Sequence, residues 1–535
     1  MGKDNGLWIG AKIFFLAFFF LFFFYPLALI LVKSVSLDAN SFSNFLVVLW
    51  DKQGLVWNSF FQASVSTFFS LLIGIPAAFI VARRDFPGKK FVKAISLIPF
   101  VFPSILVVLA FVIILGNNGW VNSTLDGFFG VRFKFLYGFF GIIAAHVFYN
   151  FPLVMRFVSS SWERLGRLPQ DSARSLGANS LQVFLRITLP QLLPSIIAAA
   201  SLVFIFCFMS FAVVLTLGGI QFSTLEVEVY RQVLRNLNLG VGALLALFQF
   251  LVLSAFAYIY FHFSKGNISS DSNPEPVVAL NLFSARGFAE TIFLAFVLVI
   301  VLLPIAALLI FAFISPETGE ISLDAFGKIF ASSNVTLFET TPVDSIILSL
   351  GLALFASILA ALLGLLASLR QTTSFAVAAI ASFSIAVSVI TLGFGYFLGF
   401  GSGNVLIIGI GHAVLAFPFA YRITKNALDR VDVNEINSAR TLGANLFQTL
   451  CLIQLPRIKG ALLASVAFGF AISLGELGLV LVLYDGVYAT MPVYVYRLIT
   501  NYELFSAGAM GLLLVGASFL AFYAIEHFAG DSKVF

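Results

Sequence analysis

The sequence predicts an all-α integral membrane protein with about twelve transmembrane helices arranged in two parallel six-helix repeats. Three observations predict this class: an apolar composition, twelve long apolar segments and a repeated polar motif. Of the 535 residues, 60% are hydrophobic and 10% are charged, whereas soluble globular chains contain about 25% charged residues. A water-facing fold needs more polar cover than this composition provides. We therefore expect most of the chain to face lipid or other helices.

Each apolar segment is long enough for the roughly 20 residues that a transmembrane helix needs. Helices are the expected structure, because backbone polar groups in lipid must be satisfied within the segment. The first segment is expected to remain as an uncleaved helix, because no small-residue cleavage site follows it. The predicted spans cover residues 8–32, 57–82, 92–115, 136–158, 193–217, 240–263, 288–314, 345–369, 374–399, 403–425, 460–484 and 505–528.

The distribution of basic residues predicts the orientation of these spans. The loops after even-numbered spans carry Lys and Arg, whereas the loop after the seventh span is acidic. Cytoplasmic loops have an excess of basic residues, so both termini are expected in the cytoplasm. The polar linker 264–286 is expected on the same side. It separates the first predicted repeat, 1–263, from the second, 287–535.

An internal repeat supports this division into halves. The segment SARSLGAN at 172–179 recurs as SARTLGAN at 438–445, an offset of 266 residues (438 minus 172). Upstream, Ser59 aligns with Ser345 at an offset of 286 residues (345 minus 59). Each half has an even number of spans, so the repeats are predicted to be parallel. The first offset also relates six further pairs, among them His146 with His412 and Pro190 with Pro456.

The repeated segment predicts a polar helical hairpin on the cytoplasmic side of each half. Gly177 and Gly443 are expected to end a first short helix and to allow close backbone approach. Asn179 and Asn445 are expected to cap a second short helix. Pro190 and Pro456 are then expected to lead into the fifth and eleventh spans.

This motif resembles the coupling motif of ATP-binding-cassette importer permeases. That family usually has Glu first and Ala second, whereas these copies begin Asp171-Ser172 and Asn437-Ser438 and keep the alanine, glycine and Leu-Pro spacing. The resemblance implies the type I importer permease fold and a loop that docks into a groove on an ATPase subunit. The residues that it implies for this contact are Asp171, Ala173, Gly177, Leu189, Pro190, Ala439, Gly443, Leu455 and Pro456.

The wider chain is similar to fused two-repeat permeases of thiamine and iron(III) importers. AHVFYNFPLVMR at 145–156 and SLGELGLVLVLYDGVYATMPVYVYRLI at 473–499 are more similar to the thiamine branch. The iron(III) branch remains the alternative. The resemblance implies a multi-pass protein of the bacterial inner membrane that works with two copies of an ATPase subunit. It also implies a periplasmic or lipid-anchored solute-binding protein.

The sequence predicts a transport subunit without a catalytic site, cofactor or metal centre. No Gly-rich loop ends in Gly-Lys-Ser/Thr, so ATP must be handled by a partner. Cys207, Cys451 and four scattered histidines show no metal-ligand spacing. The 30 basic and 25 acidic residues include no basic run that would predict a nucleic-acid partner. The chain is expected to be surrounded by membrane lipid.

Five residues are candidates for the translocation pathway. Glu476 lies inside the eleventh predicted span, where a carboxylate is costly unless it faces a cavity or a partner. Its counterpart at the 266-residue offset is Ser210, and Tyr484 would offer cation–π contact to an organic cation. His146 and His412 occupy equivalent positions in the fourth and tenth spans. Hydrogen bonding between helices is the alternative interpretation of the histidines and of Glu476.

An ion-coupled secondary transporter is the rival class of protein. Such a transporter needs buried carboxylates to carry the coupling ions, and Glu476 is nearly the only one that the sequence predicts.

Overall fold

The computed structural model describes residues 2–35, 41–96, 98–219, 222–264, 277–315, 318–330, 340–369, 372 and 375–529, and these are almost entirely helical. The helices before the linker are α1 (Gly2–Phe19), α2 (Tyr25–Val35), α3 (Ser41–Asp51), α4 (Gln53–Arg83), α5 (Lys89–Ile95), α6 (Ile98–Val101), α7 (Ser104–Leu115), α8 (Trp120–Phe129), α9 (Phe139–Glu163), α10 (Leu168–Ser175), α11 (Ser180–Val183), α12 (Leu189–Phe208), α13 (Ala212–Leu217), α14 (Leu225–Leu234) and α15 (Leu239–Ser264).

The helices after the linker follow a similar order. They are α16 (Ala285–Phe313), α17 (Asp324–Phe330), α18 (Pro342–Ser368), α19 (Phe375–Phe383), α20 (Val389–Phe400), α21 (Val405–Leu428), α22 (Val433–Thr441), α23 (Leu446–Thr449), α24 (Leu455–Leu474), α25 (Gly478–Leu483), α26 (Met491–Thr500) and α27 (Leu504–Ala529). Single π-helical turns join α1 to α2, α11 to α12 and α23 to α24, and a short 3₁₀ turn, Ser384–Ala386, follows α19.

The end of the predicted linker is attached to the first half. Residues 265–276 lie outside the described part of the chain. After them, β2 (Val278–Ala279) pairs in parallel with β1 (Arg84–Asp85). The guanidinium of Arg84 donates to both carboxylate oxygens of Glu290, at 2.7 and 2.9 Å. This bidentate ion pair holds the start of α16 beside the end of α4.

The predicted membrane-spanning class is confirmed. Within the described residues, 11 helices are long and apolar enough to cross a membrane, or 12 if one bent pair is counted as a single span. The spans that hydropathy predicted are present, although several have different bounds.

The third predicted span of each half is not a straight helix. The predicted span 92–115 is interrupted before Ser104, where α7 begins after Pro103. The predicted span 374–399 is interrupted after α19, and the segments Ala379–Ala386 and Val389–Phe400 meet at 101°. Pro103 accounts for the first interruption, because a proline lacks the N–H that continues a helix. Hydropathy adds up residues along a window and carries no information about such bends.

The fifth predicted span of each half also ends earlier than hydropathy indicates. The predicted spans 193–217 and 460–484 each run through a break in the helix, because α12 ends at Phe208 and α24 ends at Leu474. A short helix, α13 or α25, follows each break. The prediction that Glu476 lies inside a span is therefore wrong: it lies in the break, where backbone groups are not all committed to the helix.

The first helix of each predicted half packs against the other half. Helix α2 lies against α20, and α16 lies against α7 as well as α27. The ring centroids of Phe19 and Phe417 are 4.5 Å apart, and the Tyr396 hydroxyl donates to the Phe22 carbonyl at 2.8 Å. The contacts of these first helices thus hold the two predicted halves together. The boundaries of the halves in the chain remain a prediction.

The structure corrects the upstream alignment of the repeat. The Ser59 hydroxyl accepts a hydrogen bond from Leu225 N at 2.8 Å, and the Ser349 hydroxyl accepts one from Met491 N at 2.7 Å. Leu225 and Met491 are 266 residues apart, so Ser59 corresponds to Ser349 and not to Ser345. The true offset there is 290 residues (349 minus 59). Serines one helical turn apart made the sequence alignment ambiguous.

Candidate functional site

Each half presents a helix–glycine–helix hairpin built in the same way. Helix α10 ends before Gly177, which has φ +87°, and α22 ends before Gly443, which has φ +92°. This left-handed conformation is accessible to glycine at little cost and ends a helix. The amide following each glycine then donates to the carbonyl of Ala173 or Ala439, each at 3.0 Å. The repeated alanine and glycine therefore close one turn.

Capping boxes begin the second helix of each hairpin. The Asn179 side chain accepts from Gln182 N at 2.9 Å, and the Gln182 side chain accepts from Asn179 N at 3.0 Å. Asn445 and Gln448 repeat both bonds at 2.7 and 2.9 Å. Leu189-Pro190 and Leu455-Pro456 then start α12 and α24, so each hairpin continues into a long span.

The apex of each hairpin exposes a leucine that sequence reasoning missed. Leu176 and Leu442 are each 89% exposed. A Cβ built on Gly177 or Gly443 would meet nothing within 4 Å. The glycines are therefore required by their backbone conformation, since no described residue of the chain comes within 4 Å of a Cβ at either position. The repeated Leu-Gly-Ala-Asn sequence was the signal for the exposed leucines.

The charged groups of the two hairpins differ. Asp171 forms an ion pair with Arg167 at 2.7 Å within the first hairpin. In the second hairpin Asn437 replaces the acidic residue, and Glu435 forms an ion pair with Arg457 at 2.6 Å. Exposed ion pairs contribute little to stability. The shape and the apolar apex are thus the features common to both copies.

A cavity of about 250 Å³ lies between the halves at the helix breaks. It brings together three of the five predicted pathway residues: His146, Ser210 and Glu476. The residues around it are Ser104, His146, Tyr149, Asn150, Phe206, Met209, Ser210, Phe211, Ala212, Val213, Val389, Glu476, Leu477 and Gly478.

Glu476 caps a helix as well as lining this cavity. Its carboxylate accepts a hydrogen bond from Leu479 N at 3.0 Å, at the start of α25. The positive end of the short helix favours a carboxylate there. The partner that the sequence required for Glu476 is therefore a helix N-terminus.

The two equivalent histidines have different surroundings. His146 lines the cavity, and its Nδ1 lies 3.0 Å from the Ser66 hydroxyl. His412 is buried away from the cavity, with Nδ1 2.7 Å from the Ser473 hydroxyl. The sequence offset identified equivalent backbone positions but carried no information about which one borders open space.

Tyr484 also lies away from the cavity. Its hydroxyl donates to the Gly486 carbonyl at 2.7 Å, and the guanidinium of Arg497 lies 5.8 Å from its ring centroid. The tyrosine thus meets a cation of its own chain. The cavity instead has the aromatic side chains of Tyr149, Phe206 and Phe211.

A buried carboxylate that the sequence analysis missed joins the two halves. Glu226 in α14 is completely buried, accepts from the side chain of Gln249, and accepts from Ile390 N at 3.2 Å. It therefore caps α20 from the other half. The prediction that Glu476 is nearly the only buried carboxylate is wrong, because α14 is short and hydropathy does not identify it as a span.

Metal ligands do not converge in the described part of the chain. Among these residues, no group of three or more His, Cys, Asp or Glu side chains is placed to hold a metal ion.

The broken spans, the cavity between two halves and the paired hairpins define a membrane permease. Residues 70–267 and 349–529 match the family described as binding-protein-dependent transport system inner membrane component. The chain therefore belongs to this family, and the predicted fused two-repeat permease is confirmed.

Two relatives match this chain over about nine tenths of their own length. The thiamine transport system permease protein ThiP of Escherichia coli K12 is 25% identical over 509 residues, which cover 90% of this chain and 91% of the relative. ThiP of Haemophilus influenzae is 27% identical over 494 residues, covering 90% and 89%. A crystal structure of a bacterial ABC transporter involved in import of the acidic polysaccharide alginate has a chain that is 18% identical, with a TM-score of 0.42; the match covers 50% of this chain and 97% of that one.

Proposed function

We propose that this chain forms the translocation pathway of an importer for thiamine or its phosphate esters, driven by ATP hydrolysis on a separate subunit. The observation that carries the proposal is the match, over about nine tenths of the chain, to permeases named for thiamine transport. The residues matched to the transport family, 70–267 and 349–529, include both hairpins and the residues around the cavity.

The chemistry of the cavity supports an organic cation as the solute. Thiamine has a fixed positive charge and an aromatic pyrimidine, and the cavity has the carboxylate of Glu476 beside Tyr149, Phe206 and Phe211. Aromatic faces attract desolvated cations. Iron(III) would need several converging oxygen ligands, and the described residues around this cavity supply one carboxylate. The thiamine branch is therefore preferred to the iron(III) alternative.

The size of the cavity favours a gating role for the helix breaks. Small-molecule sites usually have volumes of about 300–1,000 Å³, and this cavity has about 250 Å³. The pathway in this conformation must widen before a solute passes. Alternation between two states, each favoured by a different partner, provides that widening.

The hairpins are proposed to receive two copies of the ATPase subunit, one for each exposed leucine apex. The helical segments Ser180–Phe208 and Leu446–Leu474 run from the hairpins to the breaks at Ser210 and Glu476. A displacement of either hairpin would move the cavity wall along this continuous segment. The solute-binding protein, periplasmic or lipid-anchored, is proposed to dock on the opposite side, with both termini of the permease in the cytoplasm.

Uptake of labelled thiamine by whole cells tests the solute. Deleting the gene is expected to abolish high-affinity uptake, and restoring it on a plasmid is expected to recover uptake. Unchanged thiamine uptake with a loss of iron uptake would show that the iron(III) alternative is correct.

A further inference from the structure

A second open space, separate from the cavity, lies between the first half and α16. This apolar crevice has a volume of about 450 Å³ and is bordered by apolar side chains of α4, α7, α9 and α16. Phe69, Phe111, Ala144 and Leu303 represent the four helices. The crevice thus lies on the contact that α16 makes with the other half.

The crevice opens towards the bilayer. Phe69, Phe140 and Leu303 border it and are exposed on the outside of the helix bundle. In a helix bundle that crosses a membrane, such outward-facing phenylalanines and leucines are in contact with lipid chains. An acyl chain can therefore enter the crevice from the side.

The depth of the crevice follows from an aromatic belt at the ends of α4 and α9 that lie opposite the hairpins. The rings of Trp57 and Phe61 stack with centroids 5.8 Å apart, and Phe61 stacks on Phe139 at 5.1 Å. Trp57 and Tyr137 are exposed. Such aromatic side chains mark the boundary between headgroups and hydrocarbon. The crevice, which includes Phe139, begins at this boundary and runs inward.

The corresponding contact in the other half explains why the crevice exists. There, a Cβ on Gly395 would lie 2.7 Å from the Pro26 Cβ, and one on Gly399 would lie 3.0 Å from Leu29. The two glycines let α2 dock closely on α20. Helix α7 contains no glycine, and its bulky side chains, such as that of Phe111, border the crevice beside α16.

Neither water nor empty space suits the crevice. Its volume equals that of about 15 water molecules at roughly 30 Å³ each, and each water needs two to four polar partners. The side chains around the crevice are all apolar. An unfilled space would forfeit the dispersion contacts of every side chain on its wall.

We propose that one acyl chain of a phospholipid from the leaflet opposite the hairpins occupies this crevice and fills the contact between the first half and α16. The loop before α9 supplies charge complementarity to the lipid phosphate. Lys134 is exposed there, beside Arg132, which forms an ion pair with Asp126 at 2.7 Å. The lipid stabilises the contact between the halves, and this role does not depend on the identity of the solute.

Native mass spectrometry of the full chain, purified in a mild detergent, tests the proposal by counting bound phospholipids. Ala144→Phe fills the crevice and is expected to remove one phospholipid per chain. Ala17→Phe is the matched control, because Ala17 is exposed on α1 outside the crevice, and it is expected to keep the wild-type count. Equal counts in all three proteins, or detergent in place of the lipid in the wild type, would overturn the proposal.

A surface variant keeps the test valid if Ala144→Phe does not fold. Lys134→Glu changes only the exposed loop and is expected to lower the fraction of chains that retain the lipid. A second measurement is the unfolding temperature of delipidated protein before and after addition of phosphatidylglycerol. A rise is expected for the wild type and the Ala17→Phe protein, and a smaller rise for Lys134→Glu. An identical rise in the wild type and Lys134→Glu, together with identical lipid counts, would contradict the proposal.

Discussion

At the scale of single residues, Glu476 has two roles: it caps a helix, and it places a carboxylate at the cavity. Its carboxylate caps α25 through Leu479 N and also borders the cavity. Its counterpart Ser210 borders the same cavity without a charge. The cavity is thus asymmetric in charge, although the two halves share a backbone plan.

Removing the charge of Glu476 separates its role as a helix cap from its role as a charge at the cavity. Glu476→Gln keeps an oxygen that can accept from Leu479 N, so the fold is expected to persist. Thiamine uptake is expected to fall roughly tenfold, because the variant loses the Coulomb attraction between the carboxylate and the fixed positive charge of thiamine, which is about 1–4 kcal/mol for two charges roughly 4 Å apart. Initial uptake rates over a range of thiamine concentrations measure the effect. Uptake equal to that of the wild type would show that Glu476 serves only as a cap.

Glu226 is expected to matter for stability. In Glu226→Ala the amide of Ile390 and the side chain of Gln249 lose a buried acceptor. Each such unsatisfied group costs about 1–3 kcal/mol, so the unfolding temperature of the purified chain should fall clearly. Glu435→Ala is the control, since it removes an exposed ion pair worth about 0–1 kcal/mol. Equal unfolding temperatures for the two variants would show that the bridge between α14 and α20 carries no stability.

At the scale of elements, the two hairpins are built from the same local features. The left-handed glycine, the capping box and the π-helical turn recur in both copies at the same spacing. A residue with a Cβ in the left-handed conformation costs roughly 1–2 kcal/mol. A bulky residue at the glycine would in addition obstruct a partner at the apex.

Gly443→Leu is therefore expected to reduce transport and assembly with the ATPase while the protein stays in the membrane. Gly443→Ala adds the strain without the bulk, and a smaller loss is expected. Gly351→Leu is the control, because Gly351 is exposed on α18 and a Cβ there meets nothing within 4 Å. Copurification of the tagged ATPase measures assembly. Full assembly with both hairpin glycines changed to leucine would show that the hairpins only connect two spans.

The exposed leucines provide a separate test that does not strain the backbone. Leu176→Ser together with Leu442→Ser should weaken ATPase copurification by about tenfold or more, because each buried leucine contributes roughly 1.5–3 kcal/mol. Leu323→Ser is the control, since Leu323 is exposed outside the hairpins. If the double variant copurifies as well as the control, the apex is not the docking surface.

At the scale of the whole molecule, the sequence predicted the class and the repeat but not the shape of the pathway. Apolar segments and the SARSLGAN repeat depend on local sequence, so the spans and hairpins could be predicted from them. The bend before Ser104, the break at Glu476 and the bridge from Glu226 to Ile390 depend on contacts between distant segments. For the same reason, equivalent His146 and His412 were not distinguished. Hydropathy and offsets describe positions along the chain and contain no information about open space.

We propose that this chain is a passive pathway for thiamine whose energy comes from a separate ATPase. The most direct measurement reconstitutes the full chain in liposomes with its ATPase and binding protein, and follows labelled thiamine and ATP together. Thiamine accumulation is expected to require all three components and ATP, and the purified chain alone is expected to hydrolyse no ATP. Thiamine accumulation driven by an ion gradient without the ATPase, or ATP hydrolysis by the isolated chain, would contradict it.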